Sequence, residues 1–146
     1  MLLIAGLCLT LVVLTTLIHY EVLAQLSARL PGIATAPRFK LVVVMLAAFA
    51  AHAGEIGLYA IATWAWISLV GIGGLAGAGG PTLTNCLYFS AETYTSLGFG
   101  DIVPSGPLRL LAGVETLNGL LLIGWSASYT YLSMERFWDA SPREEA

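Results

Sequence analysis

The chain has 146 residues, 58% of them hydrophobic and only 10% charged, with a net charge of −3. A soluble domain normally carries about 25% charged residues, so there are too few here to coat a water-facing surface, and a lipid bilayer is the expected solvent. The acidic balance and single lysine exclude a nucleic-acid surface, no soluble partner is evident, and no cofactor is called for. Cys8 and Cys86 are too few for a disulfide framework and lack metal-ligand spacing, so both read as buried thiols.

Three stretches match the roughly 20 residues needed to cross a hydrocarbon core. The first, Leu2 to about Leu23, is uncharged until Glu21; it has no basic residue after Met1 and no clean small-residue cleavage site, so it reads as a membrane helix rather than a signal peptide. The second runs from Leu41 to Val70, interrupted only by His52 and Glu55. The third runs from about Leu108 to Leu132, with Arg109 at its start and Glu115 inside. Arg29, Arg38 and Lys40 lie between spans one and two, and Arg136 and Arg143 follow span three. The bias of basic residues to the cytoplasm therefore places the N-terminus outside and the C-terminus inside, leaving only Arg109 on the outer face. Residues 1–40 then form an extra N-terminal helix with its cytoplasmic connection, and 133–146 a short cytoplasmic tail.

Between spans two and three the chain leaves and re-enters one face. The run GIGGLAGAGGP from Gly71 has six glycines in its first ten residues and cannot be a regular helix; no Lys-Ser or Lys-Thr follows to make a phosphate loop, so residues 71–84 read as a flexible outer loop. Thr82 or Thr84 offers an N-cap for a helix over 85–95, too short to cross the bilayer. A helix ending at membrane depth leaves carbonyls unpaired, and irregular backbone survives there only where it lines a wet cavity. The stretch TSLGFGD, Thr95 to Asp101, supplies such backbone. Gly98 and Gly100 reach positive φ without a Cβ clash, which lets carbonyls turn to one side, where they can replace a cation's hydration shell. The helix C-terminus adds partial negative charge, and Asp101 concentrates cations at the mouth.

TSLGFGDIVP resembles the selectivity-filter signature of potassium channels, in which Thr-Val-Gly-Tyr/Phe-Gly-Asp is followed shortly by Pro. The likeness extends from Asn85 to about Trp138 and points to the small bacterial channels that carry the pore domain without a sensor. It implies an all-α membrane protein with three transmembrane helices and a re-entrant pore helix and filter loop between the second and third. The pore domain would span 41–132, with outer helix 41–70, outer loop 71–84, pore helix 85–95, filter 96–101 and inner helix 108–132. The resemblance further implies that Ser96, Leu97, Gly98 and Phe99 hold K⁺, that Gly100 makes the outer turn, and that Asp101 forms the mouth. Glu92 would brace the filter from behind, sharing a proton or a water with Asp101. Gly119 stands where the family has its hinge glycine, and it and Gly124 on the same helix are the expected gating hinge. Ser96 and Leu97 depart from the family's Thr and Val; serine loses a methyl and leucine lacks the β-branch, which bears on K⁺ over Na⁺ selectivity.

Other residues admit two readings. His52 and Glu55, i and i+3 on span two, are either a gating or proton-sensing pair or a local polar pair bonded to span one near Thr15 and Thr16. Glu115 is expected to pair with Arg109. Leu120, Ile123, Ala127 and Tyr131 recur at helical spacing and either line an inner cavity or face a neighbouring helix. Gly119 is either a bending point or a close-packing site. Tyr88, Phe89 and Tyr94 read as an aromatic cuff around the filter, Trp64 and Trp66 as an outer interfacial belt and Trp138 as part of the inner one. The first span is expected to pack outside span two.

No helix carries regularly spaced arginines, and no nucleophile stands with a nearby base in the sequence, so neither a voltage sensor nor an enzyme is expected. One filter segment cannot close a pore, which calls for a homotetramer in the cell membrane. The expected function is passive K⁺ conduction. A weakly selective Na⁺/K⁺ channel, a proton-coupled transporter using His52, Glu55 and Glu115, and a non-conducting accessory protein are the alternatives.

Overall fold

The computed structural model describes residues 1–77 and 79–139, with the side chains of Trp138 and Asp139 outside the description. Its elements are helix α1 (Leu2–Arg29), helix α2 (Pro37–Ala65) continued by a π-helical turn (Trp66–Val70), strand β1 (Gly74–Gly77), helix α3 (Leu83–Tyr94), strand β2 (Ile102–Ser105) and helix α4 (Leu108–Asp139). The fold is mostly helical, and three helical stretches, Leu2–Arg29, Pro37–Val70 and Leu108–Phe137, are long and apolar enough to cross a membrane. The expected inner-belt position of Trp138 and the tail basic residue Arg143 lie outside the described side chains.

Helix α1 buries one stripe, Ile4, Cys8, Leu11, Thr15, His19 and Leu23. These positions recur every three or four residues, which keeps them on one face of a helix. The stripe meets both α2 and α4: Ile4, Cys8 and Leu11 share a cluster with Tyr59 of α2, Tyr94 of α3 and Leu108 and Leu111 of α4. The expectation that the first span packs outside the second is therefore corrected. Thr15 and His19 explain why, since both find their polar partners across the groove between α2 and α4. The Asn118 amide donates to Thr15 Oγ1 at 2.8 Å and to the Tyr59 hydroxyl at 3.1 Å. A polar stripe in hydrocarbon gains far more by facing such partners than by facing lipid. Cys8 and Cys86 are buried free thiols, as composition suggested.

Helix α2 starts on Pro37, whose missing N–H costs nothing in a first helical turn. It ends in the π turn, where the Gly71 N–H donates to the Trp66 carbonyl and Gly71 turns left-handed at φ 67°. Trp66 is buried and its indole N–H donates to the Ile72 carbonyl at 2.8 Å. It fastens the helix end rather than joining an interfacial belt, while Trp64 is exposed as expected.

The glycine run after α2 is not wholly irregular. Residues 74–77 form β1, paired antiparallel with β2 in the register Gly74↔Ser105 to Gly77↔Ile102. Two glycines explain the close approach: a Cβ on Gly73 would lie 2.5 Å from the Ser105 carbonyl oxygen, and one on Gly77 would lie 2.4 Å from that of Asp101. The outer segment is thus a ribbon that buttresses the backbone just beyond the GFGD stretch.

Helix α4 runs unbroken past Gly119 and Gly124. A Cβ on Gly119 would sit 2.2 Å from the Tyr94 carbonyl oxygen, whereas one on Gly124 meets nothing within 4 Å. Gly119 is a close-packing site that lets the end of α3 rest on α4. Overpacking a site like this costs about 1–3 kcal/mol. Gly119→Ala should therefore lower the thermal midpoint of the detergent-solubilised protein by several degrees, while Gly124→Ala leaves it unchanged; equal midpoints for the two would contradict this packing.

Candidate functional site: the loop after helix α3

Thr82 caps α3, its Oγ1 accepting the Asn85 N–H at 3.2 Å. The other end of the helix carries the chemistry. Thr95 stays right-handed, and Ser96 turns left-handed at φ 61°, alone among the described non-glycine residues in doing so. The Ser96 N–H donates to the Thr93 carbonyl at 3.0 Å and the Leu97 N–H to the Glu92 carbonyl at 2.8 Å. This pair of bonds is the helix-ending turn that usually takes glycine at its left-handed position. Serine there is strained by about 1–2 kcal/mol, and the strain sits at the first residue of the loop.

Glu92 gathers the next amides. The Gly98 N–H donates to its carbonyl at 3.3 Å, and the Phe99 N–H donates to its carboxyl Oε2 at 3.2 Å. Three successive N–H groups, from Leu97 to Phe99, are therefore held by one residue. Along the same stretch φ alternates in sign, positive at Ser96, Gly98 and Gly100 and negative at Leu97 and Phe99. Among the described residues, no hydrogen bond ends on a carbonyl oxygen of residues 96–99. A backbone with its amides pinned on one side and its oxygens unspent is an oxygen-donor strip.

The loop lies on the surface of the single chain: Leu97 is 58% exposed and Phe99 66% exposed. The Tyr88 ring stacks on Phe99 at 6.5 Å between centroids, and the Tyr88 hydroxyl donates to Asp101 Oδ1 at 3.2 Å. Asp101 and Glu92, expected to share a proton or a water, have separate partners, because Tyr88 reaches the one and the Phe99 amide the other. Burial, and next the nearby charge of Asp101, raise the Glu92 carboxyl above the usual carboxylate range, opposed by the Phe99 N–H. Of the expected aromatic cuff, Tyr88 stacks on the loop, and Phe89 lines one cavity with Ser96, Gly98 and Gly100. Phe89 packs with Ala60, Leu75, Cys86 and Ile102, and the Tyr94 ring turns the other way.

Tyr94 points into a buried polar cluster that the sequence revealed only in part. Its hydroxyl donates to Glu55 Oε2 at 2.5 Å. The other carboxyl oxygen, Glu55 Oε1, lies 2.9 Å from His19 Nδ1, and His52 Nδ1 lies 3.1 Å from Glu55 Oε2 and 2.9 Å from the Tyr94 hydroxyl. The Nε2 atoms of both histidines lie 3.1 Å from Ser126 Oγ. His52 and Glu55 do meet span one, but through His19 and not near Thr15 and Thr16. His19 went unnoticed in the sequence; its signal is the Thr15–His19 spacing, i and i+4 on an otherwise apolar helix. The cluster also contains a hydroxyl beside an imidazole held by a carboxylate, which the sequence had not suggested. Ser126 lies within the unbroken helix α4, so the neighbouring amides are spent on helical bonds and none is free to stabilise an oxyanion.

Glu115 does not pair with Arg109. The two are six residues apart, about one and two-thirds turns, so Glu115 faces inward with Leu108, Leu111, Asn118 and Leu122 while Arg109 is exposed. Among the described residues, neither carboxyl oxygen of Glu115 has a hydrogen-bond partner at normal distance, although Ser90 lies near enough to influence it. Leu120 and Ala127 are exposed, and Ile123 packs partly against the core.

A family model described as an ion channel matches residues 41–135, well over half of the chain. The chain belongs to that ion-channel family. The match begins just inside α2 and ends near the close of α4, so it contains the oxygen strip and leaves α1 outside. No curated protein and no solved structure matches the chain.

Within this channel family member, Glu92 is the residue on which the loop's shape hangs. Glu92→Ala orphans the Phe99 amide, a loss of about 1–3 kcal/mol, and should speed hydrogen exchange at that amide by about tenfold or more. Glu92→Gln keeps a carbonyl acceptor and should leave it near the wild-type rate. An unchanged rate in Glu92→Ala would show that the carboxyl does not hold the loop.

Proposed function

We propose that the chain is a potassium-selective channel in which four copies surround one axis and K⁺ passes down its gradient between their loops. One observation carries this reading: the amides of Leu97, Gly98 and Phe99 are all bonded to Glu92 while the carbonyl oxygens of 96–99 have no partner among the described residues. Oxygens left so at the end of a helix too short to cross a bilayer need a ligand, and a partly dehydrated monovalent cation satisfies them. Ser96, Leu97, Gly98 and Phe99 would supply K⁺ ligands, Gly100 the outer turn and Asp101 the mouth, with α3 as a re-entrant pore helix. Leu120, Ile123 and Ala127 would line the cavity below, and bending, if it occurs on α4, would fall at Gly124 rather than at Gly119.

A single strip has one open side. Exposed Leu97 and Phe99 give a soluble or lipid-facing monomer nothing, but they offer apolar surface for a neighbouring copy to cover. That supports the homotetramer, in a cell membrane with the N-terminus outside and the C-terminus in the cytoplasm.

The second reading, a weakly selective Na⁺/K⁺ channel, draws on Leu97. Its unbranched Cβ gives a less rigid wall than the family's valine. The reversal potential of the reconstituted protein between K⁺ and Na⁺ solutions separates the two: a value near the K⁺ equilibrium potential supports the first, one near zero the second.

Gly98 has φ 56° and open space around its Cα, so any loss on substitution comes from the backbone alone. An L-residue there costs about 1–2 kcal/mol and turns the strip. Gly98→Ala should abolish K⁺ flux into proteoliposomes without preventing assembly, while Gly6→Ala, on an open face of α1, should conduct normally. Undiminished flux in Gly98→Ala would refute the backbone-oxygen reading.

A further inference from the structure

The family match leaves α1 outside, yet α1 sends an imidazole, His19, into the core of the matched region. His19 is fully buried, as is Glu55, and His52 is mostly so. Together with Tyr94 and Ser126 these side chains join all four helices in one hydrogen-bonded ring. The three donors His19, His52 and Glu55 lie within 4.8 Å of one another, close enough for a divalent cation. Both Nδ1 atoms, however, are already turned onto Glu55, and the Glu55 oxygens already accept from the Tyr94 hydroxyl and face the rings. The ring is closed without a metal.

What closes it is a proton count. Ionised Glu55 accepts only, so Nδ1–H of His19 donates to Oε1, and at Oε2 the Tyr94 O–H and the Nδ1–H of His52 donate. That leaves two Nε2 atoms facing one hydroxyl. Ser126 has one hydrogen and can donate to a single Nε2; two bare Nε2 atoms would set a lone pair against the Ser126 oxygen at 3.1 Å. Every contact is satisfied when the cluster holds one proton beyond a carboxylate and two neutral imidazoles. Moving that proton along the His19–Glu55 bond changes its address but not the count, and the cluster is then electrically neutral, as burial in a membrane demands. The other ionisable groups whose charge reaches Tyr94 are Tyr59 on α2 and Glu115 on α4, and Cys8 on α1 lies near Tyr59.

Tyr94 carries this arrangement to the loop. Its ring hydroxyl is held by Glu55 and His52, its carbonyl rests against Gly119, and Ser96 begins the oxygen strip two residues later. Resting on the channel reading above, we propose that His19 of the first helix is a positioning residue for the filter: it holds Glu55, and through Glu55 it holds Tyr94, by means of one proton shared in the cluster. The helix that the family match omits is thereby wired to the ion path. Removing the proton would leave an uncompensated negative charge and a lone-pair clash at Ser126, which loosens Tyr94.

Two measurements on the full chain in proteoliposomes test this. His19 and His52 are the chain's two histidines, so ¹⁵N-histidine NMR reports the cluster without overlap. At neutral pH one ring, and only one, should carry an Nε2–H; two bare Nε2 atoms, or two protonated ones, would overturn the proton count. In single-channel recordings with K⁺, His19→Leu should cut open probability about tenfold, the order expected for one charge-assisted bond. His19→Gln, which keeps a donor for Glu55, should restore opening. His19→Leu channels with wild-type openings, or His19→Gln channels no better than His19→Leu, would overturn the positioning role. If His19→Leu does not fold, the NMR count on the wild type and the open probability of His19→Gln decide, near-wild-type opening supporting the role and a tenfold loss overturning it. Absence of K⁺ current in the wild type would refute the channel reading instead, and the NMR count would still be decided separately.

Discussion

Backbone polar groups at the end of a helix must find partners, and the course of the chain beyond α3 follows from how that demand is met. Glu92 accepts three consecutive amides, two on its carbonyl and one on its carboxyl. Ser96 adopts a left-handed turn that costs energy in order to start this pattern. With the amides spent, the carbonyl oxygens of the same residues have nothing of their own chain to bond among the described residues. Hydrocarbon would make that arrangement untenable; on the proposed channel reading, a cation and further copies of the strip would satisfy those oxygens.

The surroundings are built to keep the strip in place. From outside, β1 lies so close to the chain beyond Asp101 that glycine is required at 73 and 77. From inside, Gly119 lets the Tyr94 carbonyl rest directly on α4. From behind, the Tyr94 hydroxyl is tied to Glu55, and so to His19 and His52. Small residues set the close backbone approaches, and buried polar side chains set direction. Such networks specify geometry strongly because a partly satisfied one is costly in low dielectric.

Much of this was legible in the sequence. Three spans, the short helix with Thr82 at its cap and the loop with Gly98 and Gly100 at positive φ all follow from composition, capping chemistry and glycine's conformational freedom. Partners across helices were not legible. His52 and Glu55 stood out because they are ionisable in an apolar run, but a lone His19 eighteen residues into another span gives no sign of which side it faces. The same limit explains Glu115 and Arg109: closeness in sequence suggested a pair, and helical phase put them on different faces. The glycine run misled in the other direction, since six glycines in ten residues suggest mobility, while close strand pairing also requires them.

On the proposed reading, main-chain oxygens of residues 96–99 coordinate a permeant cation on an axis shared by four chains. Diffraction from crystals of the assembled protein grown in rubidium tests it most directly, because anomalous scattering locates the ion without reference to the chain. The account predicts peaks strung along a fourfold axis, each ringed by carbonyl oxygens from Ser96 to Phe99 of every copy. Rubidium absent from that axis, or a strip facing lipid with its oxygens turned away from any neighbour, would contradict it.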